Sequence, residues 1–131
     1  MKDRLSPRPI RQEAAAALCA TGLVILLVSL AIGCSRTAPP TPLDQLNPQQ
    51  KAGHAVYQAR CAVCHSDRDD RARVGPALVG IFKKPYLHSG APANDERVTA
   101  TVEHGHGLMP AMGAQVQGDD LTDLLAYLHT L

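Results

Sequence analysis

Five consecutive residues, Cys61-Ala62-Val63-Cys64-His65, limit what this chain can fold into more than any other feature. Cysteines at this spacing serve a redox disulfide, a zinc site, or the covalent attachment of haem. A redox pair opens a helix, whose dipole lowers the thiol pKa, whereas here the preceding residues read as a helix that the pair ends. A structural zinc ion needs four nitrogen or sulfur ligands. No second cysteine pair follows residue 34, so His54, His104 or His106 would have to complete such a site. Haem attachment needs the residues that are present: two thiols to form thioethers with the vinyl groups, and an adjacent imidazole that the short tether places under the iron.

The rest of the composition makes a bound group plausible on physical grounds. In 131 residues there is no Trp, one Phe and three Tyr, so a single small domain would be short of large core side chains. Domains of this kind compensate with disulfides, metals or bound groups. The formal charge is +1, and there is no Lys/Arg run, no basic stripe interleaved with aromatics and no Gly-rich phosphate loop, which argues against nucleic-acid or nucleotide binding.

Residues 1–33 read as an export signal. Lys2, Arg4, Arg8 and Arg11 precede a run from Ala14 to Gly33 that carries no charge. The run closes on Ser-Leu-Ala-Ile-Gly-Cys34, which resembles a bacterial lipobox, and the resemblance implies cleavage before Cys34, lipidation of its thiol and loss of Cys19. Taken literally, about 20 apolar residues also suffice for an uncleaved membrane helix. Both readings place the following domain outside the cytoplasm, in the periplasm or beyond. Residues 34–46, rich in Pro and Thr, are expected to be a semi-extended tether. Of 13 basic and 12 acidic residues, four and two lie in residues 1–33, so the exported part keeps nine and ten, a formal net of −1.

Residues 47–131 read as an all-α domain. Asn47, Pro48 and Gln50 form a capped helix start, with the helix running toward Cys61. Asn94, with acids in the turn that follows, starts a second helix that Gly105 stops. Asp119 and Asp120 open a third, in which Leu121, Leu124, Leu125 and Leu128 share one face. Residues 66–93 and 105–117 are loop-rich, with no alternating strand pattern, and the mixed-sign stretch 68–73 reads as a surface loop. His54, His88 and His129 read as surface or boundary residues.

These features together resemble the class I c-type cytochromes over residues 47–131. Gly53 and Tyr57 stand before the pentapeptide where that family crosses its first and last helices, and Leu124–Leu128 resembles the last-helix motif that packs on the glycine. The resemblance implies an all-α fold with a middle helix and loops wrapped around one covalent haem c. It further implies that the carbonyl of Pro76, in Gly75-Pro76-Ala77-Leu78, accepts the N–H of His65, the proximal ligand of the iron. Such a bond fixes the tautomer and raises ligand basicity. The family's tryptophan near the haem propionates has no counterpart between Gly80 and Asn94, where Lys83, Lys84 and Tyr86 are the candidates. The function implied is single-electron transfer between redox proteins rather than catalysis, and a fold completed only when the cofactor binds.

The sixth iron ligand falls in Gly105-His106-Gly107-Leu108-Met109-Pro110-Ala111-Met112-Gly113. Composition leaves His106, Met109 and Met112 open. The family's methionine-proline pattern favours Met109, and Pro110 biases it toward an extended backbone. Met112 then reads as packing near the haem, and His106, between glycines, as a turn residue facing water. The alternatives are a haem sensor or small peroxidase with an open sixth position and, in another class, a zinc-binding structural domain. The sequence names no redox partner, since no single-sign patch stands out for steering.

Lipidation makes Cys34 testable. Cys34→Ser is expected to release the protein from membranes or stop its processing, read by fractionation and apparent size. Retention at the unprocessed size would instead favour the uncleaved helix.

Overall fold

The computed structural model describes residues 38–131, which form three α-helices joined by long loops. The expected signal, Cys19 and Cys34 lie outside the described residues. Among the described residues no helix is long and apolar enough to cross a membrane.

Helix α1 spans Pro48–Arg60, and its start is set by a reciprocal cap. The Asn47 side chain accepts the Gln50 N–H at 2.8 Å, and the Gln50 side chain accepts the Asn47 N–H at 2.9 Å. This satisfies two of the donors that a helix start leaves without partners. Helix α2, Asp95–His104, begins where Asn94 accepts the Arg97 N–H at 2.9 Å and ends at Gly105, whose φ of 74° suits a residue without a Cβ. Helix α3, Asp119–Leu128, has no side-chain cap. Asp119 and Asp120 in its first turn complement the helix dipole instead.

Helices α1 and α3 cross at Gly53. A Cβ on this residue would overlap the Asp123 carbonyl and come within 2.9 Å of the Tyr127 Cβ, so only glycine permits the approach. One turn further along α1, Tyr57 packs against Tyr127 with ring centroids 5.7 Å apart and planes tilted by 45°, within the centroid range of aromatic pairs. Both tyrosines are buried, as are Leu124 and Leu128 of α3, Val98 and Val102 of α2, and Leu46, Val116 and Leu131. Each such side chain contributes about 1.5–3 kcal/mol on burial. His129 closes the other side, paired with Asp95 at 2.7 Å and stacked on Phe82 with ring centroids 3.9 Å apart.

Residues 38–46, expected to be a semi-extended tether, are extended at Pro42 and Leu46 but lie against the domain. The Thr41 N–H donates to the Thr130 carbonyl at 2.8 Å, Arg68 donates to the Thr41 carbonyl at 2.5 Å, and Lys83 donates to the Ala38 carbonyl at 3.1 Å. A 3-10 turn at Leu43–Gln45 then delivers Leu46 into the core. The mixed-sign stretch 68–73 is correspondingly more than a solvated loop. Arg68 reaches Thr41, Arg73 donates to the Ala62 carbonyl at 2.8 Å, and the Asp69–Arg71 pair stays at the surface.

The loops carry little regular structure: a 3-10 turn at Ile81–Lys83 and the isolated bridges Tyr86–Pro92 and His106–Met109. The crossing generates a direct expectation. Gly53→Val should destabilise the protein by at least about 1–3 kcal/mol, the usual cost of overpacking. Ala52→Val on the exposed face should change it by about 0.5 kcal/mol or less, both read from denaturant midpoints.

Candidate functional site

Where α1 ends, the chain tightens into a turn rather than entering a loop. The N–H groups of Cys61 and Ala62 both donate to the Tyr57 carbonyl, at 2.8 and 3.0 Å, and those of Cys64 and His65 to the Cys61 carbonyl, at 3.0 and 2.9 Å. This compact turn presents Cys61, Cys64 and His65 to a cavity of about 700 Å³, within the range of sites that enclose a cofactor. The remaining walls are mostly apolar, with Leu78 and Ile81 from the first loop, Val98 and Val102 from α2, and Leu124 and Leu128 from α3.

The two cysteines are half-buried and unbridged. Burial, and secondarily the neighbouring Cys64, pushes the Cys61 thiol up to about 11. A redox-active pair needs the opposite shift, so this dithiol is not poised for disulfide exchange. A zinc site finds no support either: among the described residues no group of three or more His, Cys, Asp or Glu side chains is placed to hold a metal ion.

His65 is held on three sides. Its Nδ1 lies 2.8 Å from the Pro76 carbonyl. A carbonyl only accepts, so Nδ1 carries the proton and Nε2 keeps its lone pair for a metal. The ring rests on the backbone of Gly75, where a Cβ would come within 2.8 Å of Nδ1 and 2.9 Å of Nε2. The Tyr57 hydroxyl donates to the His65 carbonyl at 2.7 Å, and the Gly75 N–H to the Cys64 carbonyl at 2.8 Å. The Tyr127 hydroxyl in turn donates to the Asp67 carboxylate, so both buried tyrosines of the helix crossing also brace the segment that follows the pentapeptide.

The second loop reaches the cavity through a two-residue hairpin. The N–H groups of His106 and Met109 donate to each other's carbonyls, at 3.1 and 2.9 Å, with Gly107 and Leu108 as the tip. Met109 is half-buried, packs on the core and lines the cavity. Met112 also packs on the core but does not line the cavity, and its N–H is tied to the Val102 carbonyl at 2.8 Å. His106 is exposed as expected, yet it stands on the cavity rim beside Met109 rather than turned wholly to water. Of the basic and aromatic candidates in the first loop, Lys84 and Tyr86 line the cavity together with His88 and Ser89, whereas Lys83 is engaged with Ala38.

The roles of the Tyr57 and Tyr127 hydroxyls, and of Arg68 and Arg73, were not evident in the sequence. Partners 8, 60, 27 and 11 residues away carry no local signal.

An all-helical body whose first and last helices cross at a glycine, closed over an apolar cavity that presents Cys-x-x-Cys-His, defines a c-type cytochrome of class I. The chain belongs to this family: residues 48–128 match the family described as cytochrome c oxidase, cbb3-type, subunit III. It is similar to cytochrome c6 of Picosynechococcus sp., with 31% identity over 80 residues covering 59% of this chain and 68% of the relative. Cytochrome c6 of Tetradesmus obliquus is 29% identical over 77 residues, covering 59% and 84% of the two chains. Cytochrome c2 of Rhodopila globiformis is 27% identical over 95 residues, covering 60% and 90%. The protein is accordingly a monohaem electron carrier with covalently bound haem c, not an enzyme. The cavity fits that group: it is apolar, of cofactor size, edged by two unbridged thiols, and backed by a glycine whose missing Cβ makes room for the imidazole.

The buried tyrosines give the fold a pH signature. Burial, then the nearby Asp67 charge for Tyr57 and the hydrogen bond to Asp67 for Tyr127, raises both phenols well above the ordinary value. In the unfolded chain they ionise near pH 10, so the stability they contribute is fully present below about pH 10 and lost as pH rises above it. Holo-protein denatured at a series of pH values should show this alkaline decline, and Tyr127→Phe should make it shallower.

Proposed function

We propose that this cytochrome is an exported, membrane-tethered carrier in which Cys61 and Cys64 bind the haem through thioethers while His65 and Met109 ligate its iron. The observation that carries this reading is that one apolar cavity is lined both by His65, with Nδ1 committed to Pro76, and by a single thioether sulfur, that of Met109. When bound, the haem supplies one-electron exchange between ferrous and ferric iron. The chain's own residues set the conditions for that exchange. Pro76 keeps the imidazole oriented and basic. The apolar walls exclude water, and with a thioether ligand they favour the less charged ferrous state and raise the potential. Lys84 and Tyr86, with His88 and Ser89 alongside, are the polar groups of the lining suited to the propionates.

Lipidated Cys34 anchors the domain in this reading. Residues 38–46 lie against the haem domain through Thr41, Arg68 and Lys83. Its redox partners are proteins that reach it at the membrane, and the formal net charge of −1 for the exported part supports recognition by shape more than by long-range steering.

Spectroscopy of the purified protein tests the ligand set. Wild type should be low-spin with a far-red sulfur-to-ferric-iron band. Met109→Ala should abolish the band and lower the potential, whereas Met112→Leu should retain both. The double change Cys61→Ala/Cys64→Ala should leave no haem on the denatured chain. Zinc without haem, or a high-spin five-coordinate iron in wild type, would overturn the reading.

A further inference from the structure

We propose that His106 is a reserve ligand, placed to take the sixth iron position when the Met109 thioether is not there to fill it. This rests on the ligation by His65 and Met109 proposed above. The geometry that points to it is the hairpin at the cavity rim. His106 and Met109 exchange both of their main-chain hydrogen bonds, at 3.1 and 2.9 Å, which makes them a directly opposed antiparallel pair. Side chains of such a pair leave the same face, with Cβ atoms about 5 Å apart. Both residues line the same cavity. An imidazole thus starts one side chain's width from the sulfur, on the side where the sulfur is used.

The hairpin is also built to let the exchange happen. Gly105 and Gly107 bracket His106 with φ of 74° and 58°, and a Cβ added at Gly107 would meet nothing within 4 Å. Leu108 at the tip is 94% exposed. What holds the hairpin inward is the packing of Met109 itself and the close fit of Gly105 against the Met109 carbonyl and the Ala111 nitrogen. Removing the Met109 side chain releases the first of these, and little other buried surface resists a turn of the tip.

The other histidines are less suited. His129 is paired with Asp95 and stacked on Phe82, His54 is joined to Gln58 at 3.1 Å, and His104 does not line the cavity. His88 does line it and is the competitor to control for. Imidazole suits iron well and thioether is the softer ligand, so the exchanged form is six-coordinate, with ferric iron favoured and the potential lower. The iron stays closed to small molecules although its thioether is gone.

The test uses holo-protein of the full chain. Ferric Met109→Ala should be low-spin and lack the far-red band, Met109→Ala/His106→Ala should be high-spin, and Met109→Ala/His88→Ala should remain low-spin. Added imidazole should bind Met109→Ala at least about 10-fold more weakly than the double variant with His106→Ala, because the reserve ligand already occupies the position. Met109→Leu, which preserves the apolar volume, should repeat the pattern if Met109→Ala accumulates poorly. A wild type with the band and a high-spin Met109→Ala would overturn the reserve role alone, as would a double variant with His106→Ala that stays low-spin. A wild type without the band would overturn both this role and the Met109 assignment beneath it.

Discussion

Because Gly53 carries no side chain, α1 can lie directly on the backbone of α3 at Asp123, and the positions of most other parts follow from that approach. It brings Tyr57 and Tyr127 together in the centre of the domain. Their hydroxyls then point to opposite uses of one loop: Tyr57 binds the carbonyl of His65, and Tyr127 binds the carboxylate of Asp67. The segment that holds the cysteines and His65 is therefore braced by the same two residues that seal the helix crossing. A wider helix separation would draw Tyr127 away from Asp67 and leave a buried phenol without its partner, which is costly in an apolar interior.

The two halves of the cavity differ in stiffness. On the His65 side the ring is fixed by the Pro76 carbonyl and backed by Gly75, and the N–H groups of Gly75 and Leu78 tie this loop to the carbonyls of Cys64 and Ser66. On the Met109 side a short glycine-flanked hairpin with an exposed leucine at its tip meets the cavity. Of the nine buried apolar residues among the described residues, four, Val98, Val102, Leu124 and Leu128, form part of the cavity wall. A fold of this design depends on its cofactor for much of its apolar contact.

The helices were largely legible in the sequence because their signals are local. Asn47 with Gln50, Asn94 with Arg97, and the leucine face of α3 each lie within one or two turns. Gly53, Gly75-Pro76 and Met109-Pro110 became legible only through their order along the chain, which resembles the cytochrome family. The docking of residues 38–46 was not legible. It depends on Arg68, Lys83 and Thr130, which are remote in sequence, and proline-rich composition looks the same whether a segment is free or bound. His106 is exposed, as its flanking glycines suggest, but its pairing with Met109 at the cavity edge had no signal in the sequence.

The hydrogen bond between Thr41 and Thr130 brings the two ends of the domain to one place. Neither residue lines the cavity. A unit whose entry and exit adjoin, away from its working parts, behaves as a cartridge: it can be spliced into a longer polypeptide, or repeated along one, with its walls intact.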